Sequence, residues 1–515
     1  MQMKLKNFIK DYGILIVLIV GKFILQFQIV NPIYELHRDE FLYLNQANHL
    51  AAGYISVPPL TAFLSRLIFM LGGDLFWVRF IPALFGVLTI VLVWLIITEL
   101  GGKIFAQILV GCAMLFSILV RLNILYQPNA FDILIWTSMF YFLIKYLRSE
   151  RSCWLFTLAI SAALGINNKY TVFFLLAGLL SGVLLSPQRK ILVSRSFYLA
   201  LLIGLIILLP NIIWQIKNQF PALKHMQALS ESQLVNNSAG SFLSQQYYLF
   251  LGSVPLVLVG LWSLFTYKPF RNFMLIGIGF IFVIGIFASL KAKGYYTAGF
   301  YPVMFAFGGV YLEKILPGIW KSIGFAFLIL FNLIIFANIY KYMHPVQTPA
   351  EIIADRPDYE KMGMLRWEDG RNHDLPQDFA DMLGWKEMAE KARIAYAMLT
   401  PEEHSQTLIF TDNYGQAGAL NYYNRRTMPE CYSFNTDYIY WLPHLDTIKN
   451  IVFVGVKPHP SVLKMFGECK PIGIIENEYA REKGTAIYLF KDIQPEFTRW
   501  FYKTARQRRE NWDIF

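Results

Sequence analysis

FWVRFIPALFGVLTIVLVWLIITE, residues 76–99, decides the class of fold. It carries one charge, Arg79, before the closing Glu99. About twenty such residues cross a bilayer as a helix. Outward from it lie further runs of the same kind, at 12–30, 104–121, 130–147, 154–168, 170–186, 197–216, 243–265, 272–290, 299–316 and 320–341. The expectation is a polytopic α-helical membrane protein with about eleven transmembrane helices. The bulk composition agrees. Of 515 residues, 56% are hydrophobic and only 16% charged, with a mean hydropathy of +0.42. A soluble domain carries more charge than that. The run at 12–30 follows Lys4, Lys6 and Lys10 and precedes no small-residue cleavage site, so it reads as an uncleaved first span.

The net charge of +11 reads first as topology. With the N-terminus cytoplasmic, the inner turns fall at Lys103, 145–151, 189–195, 268–271 and 314–321, and each holds Lys or Arg, as cytoplasmic turns should. Nucleic acid is excluded as a partner, because the basic residues are scattered among apolar spans and form no stripe. The outer segments are then 31–75, turns near 123–128 and 167–169, 217–242, 291–298 and everything from Tyr342. Arg121, Lys169, Lys217, Lys291 and Lys293 lie on that outer side against the charge rule. As a group they suggest something anionic bound there.

Residues 342–515 are polar. Short apolar runs at 407–411, 451–456 and 486–490 read as strands, and 387–398 reads as an amphipathic helix. The expectation is two domains, a helical membrane domain over 1–341 with its first outer loop at 31–75, and a soluble C-terminal α/β domain over 342–515. The basic aromatic tail from Arg506 onward reads as a solvated helix end. Cys112 and Cys153 lie in or beside apolar spans, where they act as small hydrophobes. Cys431 and Cys469 lie in the polar part and could form a disulfide if that part faces an oxidising compartment. No Cys/His cluster suggests a metal.

The stretch richest in chemistry is His37-Arg38-Asp39-Glu40-Phe41-Leu42-Tyr43-Leu44. Two carboxylates follow the first span on the outer side, where ionisable groups are costly unless they serve a purpose. Taken alone, they read better as a helix cap than as a site. Further on come Gly53-Tyr54, Pro58-Pro59-Leu60, Pro128-Asn129-Ala130-Phe131-Asp132 and Gly165-Ile166-Asn167-Asn168-Lys169-Tyr170-Thr171. Pro210-Asn211-Ile212-Ile213-Trp214-Gln215 with Phe220-Pro221, Lys291-Ala292-Lys293-Gly294-Tyr295-Tyr296, Asp412-Asn413-Tyr414-Gly415-Gln416-Ala417-Gly418-Ala419 and Tyr440-Trp441 complete the series.

In this order the segments resemble the GT-C glycosyltransferases, in particular the protein O-mannosyltransferases and lipid A aminoarabinose transferases, a group similar to glycosyltransferase family 39. The chain departs from that pattern just before Pro58, where many relatives carry an acidic residue and a histidine and this one has Ser56 and Val57. The resemblance implies an inverting transfer of a sugar from a polyprenyl-phosphate donor to a hydroxyl acceptor at the outer face of a bacterial inner membrane, with the C-terminal domain periplasmic. It matches Asp39 with the base that takes the acceptor's proton, with Glu40 orienting the base or the acceptor. Asp132 is a second acidic candidate, for sugar or an ion. The departing phosphate calls for cations, and Lys169, Lys291, Lys293 and Arg121 are the candidates. Trp214, Tyr295 and Tyr296 are candidates for contact with the sugar or the lipid. No cofactor is assigned; a divalent cation stays open, with no ligand set assigned to it.

Two other classes compete. A transporter of lipid-linked sugar predicts paired repeats and broken helices at matching places, and no repeat is present in the sequence. A scaffold acting through a soluble binding module predicts a nucleotide loop or a catalytic signature in 342–515, and none is found there. Among enzymes, a polysaccharide polymerase or ligase of the GT-C type is the nearest alternative.

Overall fold

The computed structural model describes residues 2–512, with side chains from Tyr12 on. The side chains of Lys4, Lys6 and Lys10 and the last three residues of the tail lie outside the described residues. The chain divides into two compact units. One is made of Met1–Val30, Asp74–Ile216 and Glu231–Val346, the other of Asn31–Gly73, Lys217–Ser230 and Gln347–Phe515. The expected first outer loop thus falls in the same unit as the C-terminal residues.

The first unit is helical. Inside lipid only a helix or a closed barrel satisfies its own backbone, and all eleven apolar runs lie on helix. Among the described residues, five helices are long and apolar enough to cross a membrane: Leu75–Glu99, Pro128–Ser149, Arg195–Lys217, Lys268–Ser289 and Gly318–Met343. The number rises to seven if two bent pairs each count as one span. These are Thr171–Leu184 with Pro187–Val193, bent by 114°, and Ala239–Leu249 with Leu251–Thr266, bent by 74°. Tyr12–Gln28, Ile104–Leu115 and Ser152–Ile166 are shorter apolar helices. The run at 104–121 breaks after Leu115 and resumes as Ile118–Leu122.

Burial sorts these helices. Tyr301–Ile315 is buried at every position from Tyr301 to Val310, as befits a helix apolar on all sides at the centre of a bundle. Arg195–Lys217 instead exposes Leu201, Leu202, Leu205, Ile206 and Leu209. An apolar face of that size suits lipid rather than water. Two helix pairs approach backbone to backbone through glycine. Gly178 and Gly182 on Thr171–Leu184 face Gly279 and the Leu275 carbonyl on Met274–Ser289. Gly260 and Gly308 do the same for Val254–Thr266 and Tyr301–Ile315, facing the carbonyls of Met304 and Leu256. Small residues at such spacing are what lets helices associate in lipid by van der Waals contact.

The second unit is built on a five-stranded sheet. Its strands are β1 (Thr407–Thr411), β2 (Cys431–Ser433), β3 (Asn450–Gly455), β4 (Phe466–Ile474) and β5 (Ala486–Ile493), in the order β2-β1-β3-β5-β4. β1 runs parallel to β2 and β3; β5 runs antiparallel to β3 and β4. The three expected strands are β1, β3 and β5. β2 is three residues long, and β4 is a mostly exposed edge strand, so neither makes an apolar run. Helix Pro495–Asn511 closes one face by setting Phe497, Phe501 and Ala505 against Leu408, Ile451, Phe453 and Phe490. Helix Trp385–Ala397, the expected amphipathic helix, packs on β3, β4 and β5.

The register corrects one expectation. Cys431 is buried on β2 and Cys469 is exposed on β4, and both are free thiols. These strands are the two edges of the sheet, four steps of about 4.8 Å apart. That spacing, roughly 19 Å, is far beyond the 7 Å limit on Cα separation for a disulfide.

Candidate functional site

The Asp39 group lies wholly in the second unit. Helix Arg38–Asn45 starts at His37, whose ring Nδ1 accepts the Asp39 N–H at 3.1 Å. Glu40 completes a capping box: its carboxylate accepts the His37 backbone N–H at 2.7 Å, and the residue is fully buried. Because His37 Nδ1 accepts, Nε2 carries the ring proton, and it points towards Asp381 at 3.7 Å. Arg481 Nη1 donates to both Asp381 oxygens at 3.2 Å. Burial raises the Asp381 carboxyl, against the lowering effect of His37 and Arg481.

Helix Tyr414–Tyr423 lies against this short helix. Asn413 is its N-cap, accepting from the N–H groups of Gly415 and Gln416, and Gln416 answers from the third position. A Cβ on Gly415 would meet Arg38 Cγ at 2.6 Å, and one on Gly418 would meet Phe41 Cβ at 2.7 Å. The two glycines are therefore what allows the helices to touch. The approach brings the Tyr414 hydroxyl to Asp39 Oδ1, donating at 2.7 Å, and lays the Arg38 guanidinium 4.3 Å above the Tyr414 ring. Burial, and then the Asp39 charge, push the Tyr414 phenol well above its ordinary range. It stays a proton donor at any working pH. Asp39 itself keeps 33% of its side chain accessible, so a hydroxyl can reach it.

Ser56 and Val57, the point of departure from the relatives, adjoin a buried carboxylate of the same unit. Asp437 accepts from the Ile55 N–H at 2.6 Å, the Ser56 hydroxyl at 2.6 Å and Gln46 Nε2 at 2.9 Å. Nearby, His49 Nε2 meets Glu430 Oε1 at 2.7 Å and stacks on Trp441 at 4.4 Å between ring centroids. Among the described residues, no group of three or more His, Cys, Asp or Glu side chains could hold a metal ion.

A second group lies wholly in the first unit. Asp132, buried in the first turns of Pro128–Ser149, accepts from Trp136 Nε1 and from the Thr171 hydroxyl, both at 3.0 Å. Lys169 Nζ donates to Asn129 Oδ1 at 2.7 Å and stands 4.4 Å from the Tyr296 ring centroid and 5.3 Å from that of Tyr295. Those two rings meet edge to face at 4.9 Å. The turn carrying Lys169 is anchored on both sides. Asn168 Nδ2 donates to the Pro128 carbonyl at 2.9 Å, while the Tyr170 hydroxyl accepts from Gln215 Nε2 at 2.9 Å and donates to Asn211 Oδ1 at 3.3 Å. Trp214 is half-buried on that same helix, Arg195–Lys217.

Of the residues singled out in the sequence, Asp132, Lys169, Tyr295 and Tyr296 are thus gathered by the fold. Lys293 lies in the field of Lys169 and donates to Gln233 Oε1 at 3.0 Å. Lys291 is exposed, with a positive φ of 50° and its carbonyl accepting from Asn237 Nδ2 at 3.3 Å. Arg121 is buried on Ile118–Leu122, in the field of His344. Tyr414, Asn129 and Asn211 are the contacts that sequence reading left without a role. The Asn-Tyr-Gly-Gln-Ala-Gly pattern carried the signal for Tyr414, a capped helix start with glycines three apart.

Residues 56–214 match the family model described as dolichyl-phosphate-mannose-protein mannosyltransferase. The crystal structure of ArnT from Cupriavidus metallidurans bound to undecaprenyl phosphate is similar over 93% of this chain and 98% of its own, with a TM-score of 0.61 and 15% identity. The fold is ArnT-like. The apo state of the same protein gives a TM-score of 0.61 at 14% identity, over the same shares of the two chains. The archaeal oligosaccharyltransferase AglB from Archaeoglobus fulgidus, in complex with an inhibitory peptide and a dolichol-phosphate, shares 13% identity at a TM-score of 0.49, over 87% of this chain and 70% of that one. No curated protein matches the sequence. The GT-C resemblance read from the motifs holds at the level of fold.

Proposed function

We propose that this multi-pass membrane protein is a glycosyltransferase that moves a sugar from a polyprenyl-phosphate donor to a hydroxyl acceptor on the outer face of a bacterial inner membrane. The observation that carries the reading is Asp39, a partly accessible carboxylate held by a buried tyrosine at the position the family resemblance matches with the base. The family-model match over 56–214 supports the reaction class, and the undecaprenyl phosphate bound by ArnT supports the kind of donor.

In the reaction, the acceptor oxygen forms a bond to the sugar's anomeric carbon while the bond from that carbon to the phosphate oxygen breaks. Asp39 takes the acceptor's proton, and polyprenyl phosphate leaves with the electron pair. Glu40 orients the base by capping its helix. Lys169 and Lys293 supply positive charge for the phosphate, and Lys291 and Arg121 add to it from their own positions. Asp132 fixes Thr171 and Trp136 around Lys169, and Tyr295 and Tyr296 offer ring faces to sugar or prenyl chain, with Trp214 beside the anchor of the Lys169 turn.

The test is transfer of label from a panel of radiolabelled polyprenyl-phosphate sugars to an envelope extract, by the purified protein in lipid, with donor binding scored in parallel. Transfer that collapses in Asp39→Asn is the expected result. Absence of binding to every donor would overturn the proposal and favour a transporter.

A further inference from the structure

The residues from Gln347 on enter the proposal above only through the tyrosine that holds Asp39. Resting on Asp39 as the base, we infer that this part of the chain completes the catalytic apparatus, and that Tyr414 is the positioning residue through which it does so.

Four observations converge on Tyr414. Its hydroxyl donates to Asp39 Oδ1 at 2.7 Å across 375 residues of sequence. Its ring is clamped by Arg38, the base's own neighbour, at 4.3 Å. Its backbone is fixed by the Asn413 cap, and its N–H donates to Asn435 Oδ1 at 3.2 Å. Asn413 and Gln416 in turn donate to the two oxygens of Glu482 at 3.2 and 2.7 Å, which ties the start of the helix to the turn before β5. The hydroxyl is therefore aimed by the sheet framework rather than by its own side-chain torsions.

A partly accessible carboxylate such as Asp39 has rotational freedom about its Cβ–Cγ bond to lose. One strong hydrogen bond to Oδ1 stops that rotation and fixes the direction in which Oδ2 presents its lone pairs. Oδ2 lies 4.0 Å from His37 Nδ1. A base whose lone pair is already aimed spends no part of each encounter finding its orientation. The raised phenol matters here: a tyrosinate would repel Asp39, whereas the neutral phenol donates throughout the pH range in which the carboxylate is ionised.

The test compares Tyr414→Phe, which removes one oxygen and leaves the packing, with Asp39→Asn and with the double variant, all in lipid. Tyr414→Phe is expected to lower kcat by about ten- to a hundredfold, with KM for the donor unchanged and the unfolding temperature close to wild type. In the Asp39→Asn background the same change should cost nothing further, because the hydroxyl acts only through that carboxylate. Full activity in Tyr414→Phe while Asp39→Asn is inactive would overturn the inference and leave the proposed function standing. An equal loss from Tyr414→Phe in both backgrounds would also overturn it, by showing a merely structural effect. Activity near wild type in Asp39→Asn, rather than a small measurable residue, would instead strike at the base itself. Should Tyr414→Phe prove unstable, Gln416→Glu disturbs the Glu482 anchor from outside the base and should reproduce the loss in kcat.

Discussion

Gly418→Ala is the smallest change that should move the base without touching it. The new methyl would lie 2.7 Å from Phe41 Cβ, 2.8 Å from its carbonyl carbon and 2.9 Å from its carbonyl oxygen. Ordinary contact begins at 3.4 Å, so helix Arg38–Asn45 must withdraw by about 0.7 Å, since two of the three atoms are backbone and no flexible side-chain tip can yield. Overpacking of this kind costs about 1–3 kcal/mol. Asp39 sits two residues before Phe41 on the same helix and travels with it. A misplacement of about 1 Å can cost roughly a hundredfold in rate, so a loss of about ten- to a hundredfold in kcat is expected. The assay is label transfer at saturating donor, normalised to folded protein by gel filtration. Gly285→Ala, whose Cβ would meet nothing within 4 Å, is the control. Wild-type kcat in Gly418→Ala would refute the claim that the contact between these helices sets the position of Asp39.

Lys169→Met keeps the length of the side chain and removes its charge; KM for a polyprenyl-phosphate donor should rise at least tenfold, with wild-type affinity as the contrary result. The Glu430 carboxyl feels burial, which would raise it, but hydrogen bonds led by His49 bring it below its ordinary 4.5. Its contribution to stability is thus full above that value and lost as pH falls through the lower folded value. Tryptophan fluorescence from Trp441 should show the acid loss below about pH 4.5 and a flatter limb in Glu430→Gln. A thiol reagent should label Cys469 in the native protein and Cys431 only after denaturation, and reductant should leave the unfolding temperature unchanged. Gly182→Leu would drive a side chain into the Leu275 carbonyl and should lower the unfolding temperature by several degrees, a shift of zero being the contrary result.

The legible part of the fold is the part written in local patterns. Runs such as 76–99 announce helices by length alone, β1 and β3 announce themselves because both faces are buried, and β5 does so through the apolar run that buries Ile487, Leu489 and Phe490. β4 does not, since Glu468, Lys470 and Pro471 belong to an exposed edge. The Glu40 capping box was hidden by its N-cap, a histidine where serine, threonine or aspartate is usual. At the candidate site, the turn sequences marked Asp132, Lys169, Tyr295 and Tyr296 one by one, but their convergence is a matter of helix packing. Tyr414 was invisible as a partner of Asp39 because no local rule connects residues 375 apart. The separation of Cys431 from Cys469 needed the strand order, which composition does not contain.

The second unit is assembled from three stretches of chain that leave the ribosome far apart in time. At about 5–20 residues per second, roughly 20–75 s pass between synthesis of Asp39 and synthesis of Tyr414. Throughout that interval the first loop has neither its glycine-lined partner helix nor its tyrosine. A truncated or stalled chain therefore holds the helical unit and the acidic loop without a set base. Under the function proposed above, full activity is expected only once the last strands are made.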